Sequence, residues 1–262
     1  MFKYLIFAAA LALSASTTFA STQIVLTSQN SVSFNQPVRE DYAAKKQLEL
    51  MAKDFLLPKT QPIYLILDTP GGSVFAGNQF IDFAKSLNRP IHTIVIFAAS
   101  MGYQITQELG KRYITTTGTL MSHRGAISGL SGQVPGELNA RLKMLEDSLV
   151  GMNERAAKRV GMSLDAYQNA IINELWVSGE AAVKSGHADE VASVSCDKSL
   201  SGSYFDEVAT IFGPVHVEYS KCPLISAPIG FKFGNSVIAS NSKGALAAKV
   251  ILGFSRKVKL EY

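Results

Sequence analysis

A serine placed where a buried-strand pattern gives way to a helical one constrains this 262-residue chain more than any other feature. Ile91-His92-Thr93-Ile94-Val95-Ile96-Phe97 is short, apolar and β-branched, which reads as a buried strand. Ala98-Ala99-Ser100-Met101-Gly102 follows, and Tyr103 to Leu109 continues as a helix stopped by Gly110. A serine with small neighbours on such a turn has its hydroxyl held out of the packing, beside the open N–H groups of the helix start. That setting suits a nucleophile, and it also arises wherever a helix packs tightly on a sheet.

Two further segments bear on the choice. Asp68-Thr69-Pro70-Gly71-Gly72-Ser73 follows the apolar strand Ile63–Leu67 and precedes a helix with Phe80, Ile81, Ala84 and Leu87 on one face. Paired glycines there can leave backbone N–H groups open to an oxyanion at the positive end of a helix; the plainer reading is a tight turn capped by Ser73. Leu120-Met121-Ser122-His123-Arg124-Gly125 sets a histidine directly after a strand-like stretch.

In this order and spacing the segments resemble the proteolytic subunit of the Clp protease, the ClpP family, from about Ser31 to about Val194. Thr69-Pro70-Gly71-Gly72-Ser73 is similar to the family's S-P-G-G turn, and Ala98-Ala99-Ser100-Met101-Gly102 matches its A-A-S-M-G nucleophile motif. Gly110-Lys111-Arg112-Tyr113 resembles its G-K-R-[FY] step, and Met121-Ser122-His123 its M-I-H. Gln47 to Asp54 is similar to its first helix. Trp176-Val177-Ser178-Gly179-Glu180-Ala181-Ala182, running on to Asp189-Glu190, is similar to F-L-S-A-x-E-A and the following Y-G-L-V-D-E.

The resemblance implies an α/β fold, the ClpP/crotonase-like spiral of ββα units, and a serine-type endopeptidase without metal or other cofactor. Ser100 would be the nucleophile and His123 its base, with the N–H groups of Gly72 and Met101 as the oxyanion hole. Gly71, Gly125, Ala126 and Ile127 fall where the family binds substrate. Glu174 falls where the family has its catalytic aspartate, so the triad would be Ser-His-Glu; Asp165 and Asp189 are poorer candidates. Ile96-Phe97 departs from a family that has glycine shortly before its A-A-S. That leaves open a non-catalytic scaffold of the same fold, and the wider superfamily leaves open a Ser-Lys peptidase with Lys111 as base.

The chain ends differ from the usual setting of that family. Met1-Phe2-Lys3 is a short basic start, Tyr4–Leu13 is uninterrupted and apolar, and Ser14 to Ala20 ends in a small-x-small pattern. Such a run is too short for a bilayer, which takes about 20 residues, and reads as a signal peptide cut after Ala20; an uncleaved interfacial anchor is the alternative. Export to the periplasm or beyond is therefore expected, and with it cleavage of peptides or unfolded proteins without ATP. Later in the chain, Ala245–Phe254 is broken by Lys249, so no transmembrane segment is expected once the signal is removed. The two cysteines, Cys196 and Cys222, form either one disulfide or two unpaired thiols, and an exported chain favours the bridge.

A composition 47% hydrophobic and 18% charged supports a sizeable core, and a net charge of +4 without a basic cluster gives no support to nucleic-acid binding. The four histidines are scattered and no Cys-x-x-Cys occurs, so no metal site is expected. Three parts are expected: a signal peptide over residues 1–20, a peptidase domain over 21–196, and a β-rich extension of unknown role over 197–262. Glu137–Val160 reads as a long amphipathic helix with Leu138, Leu142, Leu145, Leu149, Met152 and Val160 on one stripe. By resemblance it is the handle through which family rings pair, and a homo-oligomer is expected. The glycine-rich stretch Gly125–Gln133 corresponds to a substrate-pairing strand in the family, with a solvated loop as the alternative. Ser163 and Ser178 each read as the cap of a further helix, and Val215–Tyr219, Phe231–Phe233 and Lys257–Tyr262 as strands separated by turns such as Gly213-Pro214.

Overall fold

The computed structural model describes residues 21–127, 131–210, 213–233 and 236–238. The segment 1–20 expected to be a signal peptide, the apolar run 245–254 and the strand expected at 257–262 lie outside the described residues. No helix among the described residues is long and apolar enough to cross a membrane.

Strands β1 (Thr22–Leu26), β2 (Ser31–Phe34), β3 (Ile63–Thr69), β4 (Ile91–Ala99), β5 (Arg112–Ser122), β6 (Leu175–Ser178) and β7 (Glu190–Cys196) form one sheet. Its order is β1-β7-β5-β4-β3-β2, parallel throughout, with β6 paired antiparallel to β5. The crossovers are helices α1 (Glu40–Leu56), α2 (Val74–Ser86) and α3 (Met101–Glu108), and between β5 and β6 come α4 (Glu137–Val160) and α5 (Leu164–Ala170). The short α6 (Gly179–Lys184) links β6 to β7. A mainly parallel sheet must be covered on its faces, and β3 and β4 accordingly read as near-continuous apolar runs. This is the α/β architecture expected of a ClpP-like chain.

Two apolar clusters flank the sheet. The larger packs Phe34, Leu50, Leu65, Leu67, Phe80, Val95, Tyr103 and Tyr167 between strands and helices, with Phe34 edge-on to both Tyr42 and Phe80. Each fully buried side chain of this size stabilises the fold by about 1.5–3 kcal/mol before chain entropy is subtracted. The second joins Ile24, Leu26, Ile66, Ile94, Tyr113 and Ala192 on the other side to Leu200, with Cys196, Cys222 and Leu224 against it.

The C-terminal region supplies that cover. Strands β8 (Ser203–Thr210), β9 (Gly213–Ser220), β10 (Gly230–Phe233) and β11 (Ser236–Ile238) form a separate antiparallel sheet in the order β11-β10-β9-β8. Gly213-Pro214 opens β9 opposite Ala209 and Thr210, where the sequence suggested only a turn; Pro214 tolerates this position near the strand's end because it need not donate there. Cys196 at the end of β7 is bridged to Cys222, just after β9. That link closes a separation of 26 residues and ties the second sheet to the first.

Helix α4 has the expected ends, stopped by Gly161 in the left-handed conformation at φ 77°. Only its C-terminal half is buried, at Met152, Ala156, Ala157 and Val160. Leu138, Leu142, Leu145 and Leu149 are only partly covered, so the stripe runs on beyond the body that α4 packs against. Ser163 caps α5, accepting from the N–H of Ala166 at 3.2 Å, but Ser178 makes no side-chain cap at the start of α6. Its N-terminal turn begins instead with Gly179, at φ 46°, where a Cβ would meet the Thr116 carbonyl oxygen.

Candidate active site

Ser100 is held at φ 54° and ψ −116°, a strained backbone for a residue with a Cβ. Two backbone hydrogen bonds keep it there. Its N–H donates to the Met121 carbonyl at 2.8 Å, and its carbonyl accepts from the Gln104 N–H at 3.2 Å. The first bond ties the turn to the end of β5 and the second closes the first turn of α3. Small neighbours are a steric requirement here. A Cβ on Gly71 would lie 2.5 Å from the Ala99 oxygen and 2.6 Å from the Ser100 Cβ, and one on Gly102 would lie 2.6 Å from the Thr69 methyl.

His123 leaves the end of β5 and its Nε2 lies 2.8 Å from the Ser100 hydroxyl oxygen. Both side chains are half-buried, so the pair is reachable from solvent. A hydrogen bond of this length is what proton transfer between hydroxyl and imidazole needs.

The Pro-Gly-Gly turn is fixed from two sides. The Gly71 N–H donates to Thr69 Oγ1 at 3.2 Å, and Thr69 Oγ1 donates in turn to the Gln36 carbonyl at 2.8 Å. Val38 donates to the Gly71 carbonyl and accepts from the Ser73 N–H, both at 2.8 Å. Gly72, at φ 145°, sits between these bonds, and a Cβ on it would lie 2.4 Å from the Val38 oxygen. Among the described residues, neither the Gly72 N–H nor the Met101 N–H donates to a protein acceptor. Ser73 caps α2, accepting from the Ala76 N–H at 3.2 Å. Both readings of the segment therefore hold together: it is a capped turn, and it leaves one N–H uncommitted. Val38 escaped the sequence reading because it acts through its backbone, which leaves no mark on residue type.

Glu174 is brought near but not joined. The antiparallel register of β5 and β6 pairs Ser122 with Leu175, so the next positions in register are His123 and Glu174. Yet the exposed Glu174 carboxylate accepts from the Trp176 indole N–H at 2.8 Å. No hydrogen bond or ion pair among the described residues joins it to His123, and the expected contact is not made. Glu174 itself has φ 64°, a second strained backbone beside the site.

The other candidates separate clearly. Gly125, Ala126 and Ile127 follow His123 but form no strand. Instead a Cβ on Gly125 would meet the Leu149 side chain at 2.6 Å, so this segment leans on α4. Lys111 precedes β5 whereas His123 follows it. The Lys111 carbonyl accepts from the Thr93 N–H, seven residues before Ser100 on β4, which at about 3.3 Å per residue puts Lys111 roughly 23 Å from Ser100. Lys111 is also ion-paired with Glu190 and lies 5.0 Å over the Tyr113 ring, so a Ser-Lys pair with Ser100 is ruled out. Asp189 is bound to Arg112 and Arg159; burial opposes its charge, but these cations hold its carboxyl below the ordinary range. Asp165 lies in the first turn of α5. No cluster of His, Cys, Asp or Glu among the described residues could hold a metal ion.

Known proteins resemble this chain in sequence. The family model for Clp protease matches residues 14–195, most of the chain. The "ATP-dependent Clp protease proteolytic subunit 1" of Chlamydia muridarum is 29% identical over 162 residues, covering 60% of this chain and 83% of that protein. Its counterpart in Chlamydia trachomatis serovar D is 28% identical over the same length and the same shares. That of Protochlamydia amoebophila is 28% identical over 134 residues, covering 50% of this chain and 65% of its own. The chain belongs to the Clp protease family, and its relatives support a serine protease of the ClpP type.

Proposed function

We propose that this protein is a serine endopeptidase that cleaves peptides or unfolded chains outside the cytoplasm without ATP. The observation that carries the chemistry is the 2.8 Å contact between His123 Nε2 and Ser100 Oγ, made at a strained turn with uncommitted N–H groups beside it. In the reaction, His123 takes the hydroxyl proton as Ser100 Oγ attacks the scissile carbonyl carbon. The Gly72 and Met101 N–H groups stabilise the oxyanion, and each such donor contributes about 3 kcal/mol to the transition state. His123 then gives its proton to the leaving amine. A water molecule, deprotonated by His123, frees the acyl group from Ser100.

Glu174 completes the set as the orienting acid. Its register position opposite His123 supports this, and its side chain must leave Trp176 to accept from His123 Nδ1. Gly71 and the 125–127 segment border the substrate cleft. Export is supported by the N-terminal apolar segment, and the Cys196–Cys222 bridge suits an oxidising compartment. There neither ATP nor an ATP-driven unfoldase is at hand. The partly covered leucine stripe of α4 supports a homo-oligomer, in keeping with a family of rings.

A second reading keeps the fold as a non-catalytic scaffold, and one observation favours it: Glu174 is engaged by Trp176 rather than by His123. Labelling with a fluorophosphonate probe decides between them. Labelling of the purified mature protein that disappears in Ser100→Ala and falls steeply in His123→Ala supports the peptidase. Absence of labelling in the wild type supports the scaffold. Recovery of the full-length protein from the cytoplasm, Met1 intact, would overturn export.

A further inference from the structure

A buried polar cluster lies directly beneath the catalytic pair and takes no part in the chemistry described so far. Tyr167, on α5, is fully buried, and its hydroxyl oxygen lies 2.8 Å from Ser122 Oγ and 3.4 Å from Gln104 Nε2. Ser122 and Gln104 are themselves buried, at 1% and 4% exposure. Each stands next to one member of the pair. Ser122 immediately precedes His123 at the end of β5. Gln104 is one turn past Ser100 on α3, and its N–H binds the Ser100 carbonyl.

We propose that Tyr167 is a positioning residue that clamps the Ser100 turn to the His123 strand and so sets the distance between nucleophile and base. Ser100 and His123 lie just past the ends of paired strands: the β4–β5 ladder runs through Ala98–Leu120 and Ala99–Met121, and Ser100 N–H to Met121 carbonyl is its last backbone bond. Beyond that last rung the first turn of α3 can shift against β5, although farther along the helix Gln107 Oε1 accepts from Arg112 of β5. A tie beside the pair itself, made by a rigid ring from a third element, restrains that shift. The ring is itself wedged against Tyr103 of α3, with centroids 6.4 Å apart and planes at 26°. Burial raises the Tyr167 pKa, so the hydroxyl keeps its proton and remains a donor at any pH the protein meets. A buried phenol that can accept from Gln104 and donate to Ser122 is satisfied on both sides, whereas a core needing only volume would hold phenylalanine.

This inference rests on the serine-nucleophile reading, and its test separates the two. The rate constant of fluorophosphonate inactivation at saturation and the half-saturation concentration are measured for wild type, Tyr167→Phe, and Tyr167→Phe with Ser122→Ala. Thermal melts and active-fraction titration run alongside. Tyr167→Phe keeps the ring and loses the clamp, so the inactivation rate should fall about tenfold, the rate equivalent of roughly one buried hydrogen bond, with half-saturation unchanged. The double variant removes the orphaned serine hydroxyl and should regain thermal stability without regaining rate. A Tyr167→Phe rate within twofold of wild type overturns the proposal, and so does a double variant that recovers rate together with stability. A wild type that does not label removes the serine-nucleophile reading and this proposal with it, whereas a labelling wild type with an unaffected Tyr167→Phe removes this proposal alone.

Discussion

The two halves of the site are held by different means. On the nucleophile side, Ser100, Gly71, Gly72 and the end of β5 are fixed by backbone hydrogen bonds at 2.8–3.2 Å and by glycines with no room for a Cβ. On the acid side, Glu174 is an exposed side chain that accepts a hydrogen bond from the neighbouring indole of Trp176. Backbone ties are stiff and depend little on residue choice, while a surface carboxylate can exchange one partner for another at small cost. The Ser100–His123 pair is therefore preorganised, and Glu174, proposed above as the orienting acid, is the adjustable part. Any control over activity would enter through Glu174 more readily than through Ser100.

The sharpest way to break the stiff half is Gly71→Ala. The added methyl would meet the Ala99 oxygen at 2.5 Å and the Met101 nitrogen at 2.8 Å, at a φ of 89° that alanine resists. Relief requires moving the Ser100 turn, and displacements of about 1 Å at reacting atoms can cost 10²-fold. Labelling of Ser100 should fall by about that factor or more in protein that still folds by circular dichroism. Labelling near the wild-type rate would show that the turn is softer than its contacts indicate.

The adjustable half is probed by a pair of substitutions. Glu174→Gln should leave folding intact and cut peptide turnover by roughly 10²-fold or more, as loss of the orienting carboxylate does in related triads. Trp176→Phe keeps a ring near Phe97 but removes the indole donor, and should leave turnover unchanged or raise it a few-fold. Should Glu174→Gln stay within a few-fold of wild type, Glu174 is not the orienting acid and the site works as a dyad.

The same division explains what could be read from the sequence. The Ser100 turn was legible because tight turns demand small residues, and glycines and alanines are visible in a sequence. So were the ends of α4, where Gly161 takes a left-handed conformation open to few other residues. The pairing of Cys196 with Cys222 was one of two outcomes left open, and the fold decides it by bringing their Cα atoms to 5.8 Å. What stayed hidden depends on partners far apart in sequence. Tyr167 reads simply as a core position of a short helix, and nothing local indicates that its hydroxyl meets Ser122, 45 residues earlier. Val38 acts through main-chain atoms alone. The stretch from Gly125, left open between a strand and a loop, forms no strand at residues 125–127, where Gly125 is drawn against Leu149 and glycine gives a strand little to pack. β8 escaped notice since Tyr204-Phe205 and Asp206-Glu207 break strict alternation.

A control outside both halves is the disulfide. It joins β7 to the second sheet, and no catalytic candidate adjoins it. Replacing both cysteines by serine frees a closure of 26 residues and should cost about 3 kcal/mol of stability in the chain-entropy account. Urea midpoints should shift accordingly, while the labelling rate of the folded fraction should not. A rate that fell with the bridge would mean that the cover on the far side of the sheet reaches the site.

The last expected effect, on stability and not on rate, concerns the anchoring of α3 at its far end. His187 is 3% exposed; its Nδ1 lies 2.7 Å from the Tyr103 hydroxyl and its carbonyl accepts from Gln107 Nε2 at 3.0 Å. Burial, with the Arg112 charge adding to it, brings the His187 pKa down from 6.5 to about 4. The native state therefore keeps the ring neutral where the unfolded chain would protonate it. Between pH 6.5 and about 4 the unfolded state binds the extra proton, so the contribution is complete above pH 6.5 and is lost as pH falls through that window. The full loss should be on the order of 3 kcal/mol, comparable to that from removing the disulfide. Urea unfolding at pH 7.5 and pH 4.5 would measure it, with His187→Gln as the reference in which this component of the pH slope disappears. An identical slope in wild type and His187→Gln would show that other groups carry the acid sensitivity. The dyad's stiffness would then owe nothing to a neutral imidazole at the far end of α3.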